Sequence, residues 1–419
     1  MADPLIYLTY VAIILLIGII CSLISRKLGI PNILLLLLAG IGLNNIYYRG
    51  EQLIDFPPVF LTSIAILALV MIVFDSTSRF KIKEFDTFSL KVLKLTGIFL
   101  FCNLALFTFF TKWIFQIQNV LLCLIFSAMM AGTSPDAVMT VLGGSKNKVI
   151  EFLEIESILN TPMIVLLPFI FLDLMQTVAG EIVFEHLLEQ ILPFLLQITA
   201  GIGSGVLVGL VIFKGMRKKY SETVSPLAII TAALISYILA ENLGGNGVLS
   251  VTTMGLFFGN IYVKEKAQLQ EFSSMFTSAL EIIVFILVGL TIKLPLDMGF
   301  YFRSLMLFAI YLIIRLTAIE IGFRKEFTFK EKIFMTLNVQ KGIAVAVIAF
   351  TLVSYSITRS SVVVGLAQEE SILLTALPGV ETVLNLILIF MLYSIILSTV
   401  ISKFSKRFIS VQLESAKEK

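Results

Sequence analysis

The sequence predicts an all-α polytopic membrane protein: about thirteen transmembrane helices in inverted six-helix repeats, with two crossing broken helices. Three observations carry that prediction. The chain of 419 residues is 58% hydrophobic and 14% charged, with a mean hydropathy of +1.00, whereas a soluble domain carries about 25% charged residues. Its Lys and Arg residues segregate to one set of alternate loops. Finally, two of its apolar runs are interrupted by polar residues beside Gly and Pro, the pattern of discontinuous helices that build ion sites in transporters.

Cutting the chain where charges and turn residues cluster gives spans near 5–25, 31–46, 57–74, 92–115, 119–142, 150–172, 190–213, 225–240, 246–262, 272–291, 301–322, 331–353 and 380–402. Several are shorter than the roughly 20 residues a span needs, which points to tilted or broken helices. The first run begins at Leu5 without a basic flank or a small-residue cleavage site, so it is expected to be a retained span and not a signal peptide. Gly201, Gly203, Gly205 and Gly209 in the 190–213 run are expected to let a neighbouring helix approach closely. Cys21, Cys102 and Cys123 lie at unrelated spacings in apolar runs, as packing residues would, with neither a disulfide framework nor a metal site indicated.

Orientation follows from the basic residues. One set of loops, with the C-terminal tail, holds 24 of them, among them Arg79, Lys81, Lys83, Arg217, Lys218, Lys219, Arg324 and Lys325. The opposite loops hold five (Arg49, Lys112, Lys293, Arg303 and Arg359) and an acidic stretch with Asp173, Glu181, Glu185 and Glu189. The positive-inside rule then places the N-terminus outside and the C-terminus in the cytoplasm, which requires an odd number of spans. Six spans, a linker span and six more give two halves of opposite orientation, so span 5 corresponds to span 12.

The chemistry concentrates in those two spans and in span 6. The stretch 132–144, GTSPDAVMTVLGG, brings Asp136 among Gly132, Pro135, Gly143 and Gly144, and ESILNTP at 156–162 adds Glu156 and Pro162. A carboxylate at membrane depth is costly unless paired, hydrated or neutral, and marks an ion or proton pathway. Glu156 and Asn160, and likewise Ser157 and Thr161, are i,i+4 neighbours and are expected to form one polar stripe. Span 12 carries NVQKGIAVAV at 338–347, so Asp136 and Lys341 offer opposite charges to the exposed half-helix ends.

With these elements in order, the chain resembles the monovalent cation/proton antiporters, most closely the NhaP-type sodium/proton antiporters. The resemblance runs over nearly the whole length: IPNILLLLLAGIGL from Ile30, the TSP stretch, ESILNTP, LAENLGGNGVLSVTTMGLFFGN from Leu239, ILVGLTIKLP from Ile286, Arg315, and QKGIAVAV. It implies exchange of sodium, lithium or potassium for protons by alternating access, in a homodimer and without a cofactor. It also implies a dimerisation domain from spans 1–3 and 8–10 (5–74 and 225–291), a mobile core from spans 4–6 and 11–13 (92–172 and 301–402), and a linker span at 190–213.

Thr133, Glu156, Ser157 and Asn160 match the family's motifs, and Arg315 matches the basic partner of the glutamate. The family's main ion-binding aspartate falls on Thr161, the aspartate of Thr-Asp-Pro on Ser134, and the arginine of the second crossing helix on Lys341. Asp136, two residues beyond Ser134, is the replacement carboxylate this chain offers, and Asp136, Thr133, Ser157 and Asn160 are its sodium or potassium ligand candidates, with Thr161 beside them. The alternatives are structural. Asp136 balances a helix end or pairs with Lys341, Glu156 forms an ion pair with Arg315, and the hydroxyls of Ser157 and Thr161 satisfy backbone carbonyls. A second functional reading is an uncoupled cation pathway or a sensor-like homologue that lost proton coupling with the aspartate. The lone His186 sits beside Glu185 in an outward loop, and no catalytic triad or phosphate-binding loop points to an enzyme or to nucleic acid.

Overall fold

The computed structural model describes residues 4–409 except 29, 49–50, 53, 55, 82–86, 135–137, 139–141, 143–146, 178–186, 217–219, 292–294, 296, 325, 343, 347, 350–351 and 353–378. Asp136, Pro135, Gly143, Gly144 and His186 therefore lie outside the described residues, as do the side chains of Thr161, Pro162, Asp173 and Glu189.

Helices follow the apolar runs in order: α1 (Pro4–Leu28), α2 (Asn32–Asn44), α3 (Pro58–Ser78), α4 (Thr87–Cys102), α5 (Thr108–Phe115), α6 (Val120–Ala131) and α7 (Lys148–Thr177). They continue as α8 (Leu187–Met216), α9 (Val224–Asn242), α10 (Gly247–Asn260), α11 (Lys266–Thr291), α12 (Met298–Gly322), α13 (Phe329–Leu337) and α14 (Val380–Lys403). Each candidate span overlaps one of them, α4 and α5 together filling the fourth. Among the described residues, eight helices are long and apolar enough to cross a membrane. Starts are marked by side-chain caps: Asn119 on α6, Asn246 on α10, Asp297 on α12, and a Thr328–Glu331 capping box on α13.

Several expectations are corrected. The fold is all-α apart from one short hairpin of two-residue strands, β1 (Tyr47–Tyr48) with β2 (Glu51–Gln52), in the α2–α3 connection. Two successive tyrosines in β1 suit an extended backbone. Pro162 does not break its helix, since α7 runs on to Thr177; spanning helices tolerate proline when neighbouring groups satisfy the freed carbonyl. Helix α11 starts six residues before the expected 272, because its first turns, KAQLQE, are polar but good helix formers. Helix α3 runs past the expected end at 74 to Ser78, which puts Asp75 inside a helix.

Between α4 and α5 the residues Asn103–Phe107 form a π-helical turn. The cause is polar: buried Asn103 donates to the Ser127 carbonyl of α6 at 2.6 Å, and Thr108 donates to the Ser127 hydroxyl at 2.9 Å. Widened turns of this kind fit an inserted side chain into a helix ladder.

Helices α1–α3 and α8–α11 pack on one another, and α4–α7 with α12–α14 do the same; α3 and α10 also touch α7. Close approach within the first group depends on glycine. A Cβ on Gly205 would sit 2.2 Å from the Ser250 carbonyl oxygen of α10, and one on Gly201 would sit 2.7 Å from that of Asn246. Gly203 departs from the expected stripe, because nothing lies within 4 Å of its added Cβ; it falls on the helix's other side. Gly205→Ala is therefore expected to destabilise by roughly 1–3 kcal/mol, whereas Gly203→Ala leaves stability unchanged or slightly raised. Melting midpoints of the purified variants in detergent check this, and equal midpoints would refute the close packing of α8 on α10.

Candidate functional site

Two helices stop in mid-run, and their stops meet. Helix α6 ends at Ala131, residues 132–134 leave the helix, and helical backbone returns at Val138. Helix α13 ends at Leu337, residues 338–342 are non-helical, and helix returns at 344–346. Ser134 N–H donates to the Gln340 carbonyl at 2.7 Å, so the two interruptions are bonded backbone to backbone. Gly342 lies against Ser134, where an added Cβ would come within 3.0 Å of the serine Cβ.

A helix that stops early leaves its last carbonyls without intrahelical donors and with a partial negative charge. Lys341 answers this. Its fully buried Nζ donates to the carbonyls of Met130 at 2.7 Å and Gly132 at 2.8 Å, and to Tyr311 Oη at 2.6 Å. All three ammonium protons thus have acceptors, and the ring of Tyr311 lies beneath the charge at 4.4 Å. Tyr311 is itself held edge-on by Phe99 and Phe107. Backbone N–H of Lys341 donates to Ser394 Oγ at 3.2 Å, tying the break to α14. The lysine side chain thereby caps the α6 end and ties it to α12.

Glu156 on α7 and Arg315 on α12 form a bidentate pair, Nη1 to Oε1 at 2.8 Å and Nη2 to Oε2 at 2.7 Å, each side chain 1% exposed. Arg315 also reaches the Met335 carbonyl near the end of α13 and stacks its guanidinium 5.2 Å from the Phe99 ring centre. This pair ties α7, α12 and the broken α13 into one body.

One turn on, Asn160 donates through Nδ2 to Thr133 Oγ1 at 2.9 Å, and among the described residues no donor reaches its buried Oδ1. Of the expected polar stripe on α7, the described side chains point two ways. Glu156 and Asn160 turn inward, whereas Ser157 faces a cavity of about 370 Å³. Successive residues on a helix lie 100° apart, which separates 156 from 157.

Thr133, Ser134, Ser157 and Gly342 line that cavity from the side of the breaks. Asp75 of α3, Arg79 just past its end, and Ser274 and Glu281 of α11 also line it. The arrangement can hold a small hydrated or partly dehydrated cation among hydroxyl, carbonyl and carboxylate oxygens. Sequence reading overlooked Asp75, Arg79 and Glu281. The expected span 57–74 stops one residue short of Asp75; the available signal is the i,i+4 spacing of Asp75 and Arg79, which continues a helix.

The family model described as "Sodium/hydrogen exchanger, transmembrane" matches residues 11–406. The chain is 27% identical over 290 residues to the K(+)/H(+) antiporter NhaP2 of Shewanella sp. strain ANA-3, covering 68% of this chain and 49% of the relative. It thus spans about half the length of the NhaP2 relatives. It is 24% identical over 311 residues to the "Probable Na(+)/H(+) antiporter 2" of Methanocaldococcus jannaschii, covering 69% of this chain and 70% of the relative. The fold is similar to that of the sodium proton antiporter MjNhaP1 from the same organism at pH 8, with a TM-score of 0.74 at 20% identity, covering 95% of this chain and all of that one.

Proposed function

Because this chain belongs to the transmembrane sodium/hydrogen exchanger family, we propose that it is a secondary active monovalent cation/proton antiporter of the cell membrane. Sodium, potassium or lithium is its substrate class, and it keeps cellular pH and cation balance. The observation that carries the reading is the junction of two interrupted helices beside a hydroxyl- and carboxylate-lined cavity, with Lys341 compensating the α6 carbonyls.

In this reading Thr133, Ser157, Asn160 and Thr161 supply oxygen ligands, and Asp136 is the carboxylate that cation and proton share. Sharing one carboxylate links the two ions, since protonation removes the charge that holds the cation. Thr161 and Ser134 stand where relatives carry acids, and Asp136 is the acid next to the break. The buried pair of Glu156 and Arg315 keeps the core rigid while it moves.

Alternating access divides the packing groups. Spans 4–6 and 11–13 (92–172 and 301–402) form the moving core, spans 1–3 and 8–10 (5–74 and 225–291) form the dimerisation domain, and the 190–213 span links them. The protein works as a homodimer, with the N-terminus outside and the C-terminus cytoplasmic, as the loop charges require.

Purified protein in vesicles with an imposed pH gradient tests the activity. Addition of sodium or potassium is expected to drive proton flux, read by a pH-sensitive dye. Cation movement that leaves the proton gradient untouched would establish the uncoupled pathway instead.

A further inference from the structure

Arg79 lies at the end of α3 in the loop set rich in Lys and Arg, and it shares the cavity wall with Asp75. Its Nε and Nη2 both engage a single oxygen, Asp75 Oδ2, at 3.2 and 3.1 Å. Nη2 also reaches Ser274 Oγ of α11, and that hydroxyl donates to Asp75 Oδ1 at 3.1 Å. The contrast with Arg315 is informative. Arg315 spans both oxygens of its glutamate and is 1% exposed, whereas the Arg79 side chain is 50% exposed and that of Asp75 only 12%. A positive charge therefore rests on a largely buried cavity carboxylate while remaining free to turn into water. Glu281 is the other described acid on that wall.

We propose that Arg79 is a tethered cation competing with the transported ion for Asp75, so that it sets apparent cation affinity from the basic side of the protein. An ion entering from that side meets Asp75 already neutralised and must displace the guanidinium. Displacement is cheap on the arginine's side, because its half-exposed guanidinium passes into water while the incoming ion takes over the Asp75 charge. Asp75 draws the ion inward and the hydroxyls of Thr133 and Ser157, which line the same cavity, receive it. Arg79 acts through Asp75 and is a specificity-determining residue, not a ligand. The inference rests on the antiporter reading for its physiological meaning, but its test does not depend on proton coupling.

Cation binding is read as sodium- or potassium-dependent thermal stabilisation of purified protein in detergent, since an ion that binds the folded state raises its midpoint. Arg79→Gln is expected to lower the half-saturating cation concentration about two- to fivefold. Arg79→Lys, which keeps the charge, stays near wild type. Asp75→Asn raises the concentration, and in that background Arg79→Gln has no further effect, because the pair is coupled only through the carboxylate. Midpoints without cation control for folding. An unchanged or higher half-saturating concentration in Arg79→Gln, an effect that persists in Asp75→Asn, or no cation-dependent stabilisation in any variant overturns the proposal. Ordered cation binding in detergent without proton flux in vesicles would overturn antiport and leave this inference standing.

Discussion

Glu156→Gln is expected to destabilise the protein by about 3–5 kcal/mol, the usual cost of removing one partner from a fully buried ion pair. The carboxylate uses both oxygens on Arg315, and both side chains are 1% exposed, so water cannot enter to replace the lost charge. The remaining guanidinium keeps its long contacts to the Met335 carbonyl at 3.4 Å and the Phe99 ring, which do not neutralise it. Because Met335 lies near the end of the broken α13, the damage should reach the site as well as the global midpoint. A compensated variant, Glu156→Leu with Arg315→Met, is expected to recover much of the loss, since an apolar pair of similar volume replaces a buried ion pair at little cost. Thermal unfolding in detergent decides it. A wild-type midpoint for Glu156→Gln would mean that the pair does not hold α7 to α12.

Asp136→Asn is expected to abolish cation-driven proton flux while folding and dimerisation persist. The substitution removes the acid that, in our proposal, binds cation and proton in turn. Loss of a charge-assisted ligand, worth roughly 1.5–3 kcal/mol, weakens cation binding about ten- to a hundredfold, and the amide that replaces it has no titratable proton to give up or take back. Asp136→Glu is expected to retain partial exchange. Asp75→Asn gives the instructive contrast: it raises the half-saturating cation concentration, yet proton-coupled exchange continues. Flux assays in vesicles on the three variants separate the roles. Wild-type exchange in Asp136→Asn would sink the assignment, and loss of exchange in Asp75→Asn alone would transfer the shared carboxylate to α3.

Much of the helical frame was legible because apolar length and turn residues are local signals. The interruptions near 132–134 and 338–342 were legible for the same reason, since Gly and polar residues in an apolar run weaken a helix wherever it packs. Pro162 shows the limit of local reading. Its missing hydrogen bond is a property of the residue, but whether α7 breaks there depends on what surrounds it, and α7 does not break. The glycines of α8 divide in the same way: their smallness is in the sequence, but only the position of α10 makes Gly205 a contact and Gly203 a spectator.

By itself, then, the sequence determined a multi-pass helical protein, its loop charge asymmetry, its two interrupted runs and the residue types gathered beside them. These follow from composition and periodicity, which act over one or two turns. Only the tertiary structure decided which groups meet. It turned Lys341 onto the carbonyls of Met130 and Gly132, bonded Ser134 to Gln340 across more than two hundred residues, and brought Asp75 and Arg79 to the cavity that Thr133 and Ser157 line. The physical reason is that a buried charge or an unpaired carbonyl sets a demand for a partner without specifying which one. Any donor or acid at membrane depth could answer that demand, and helix packing selects the one that does.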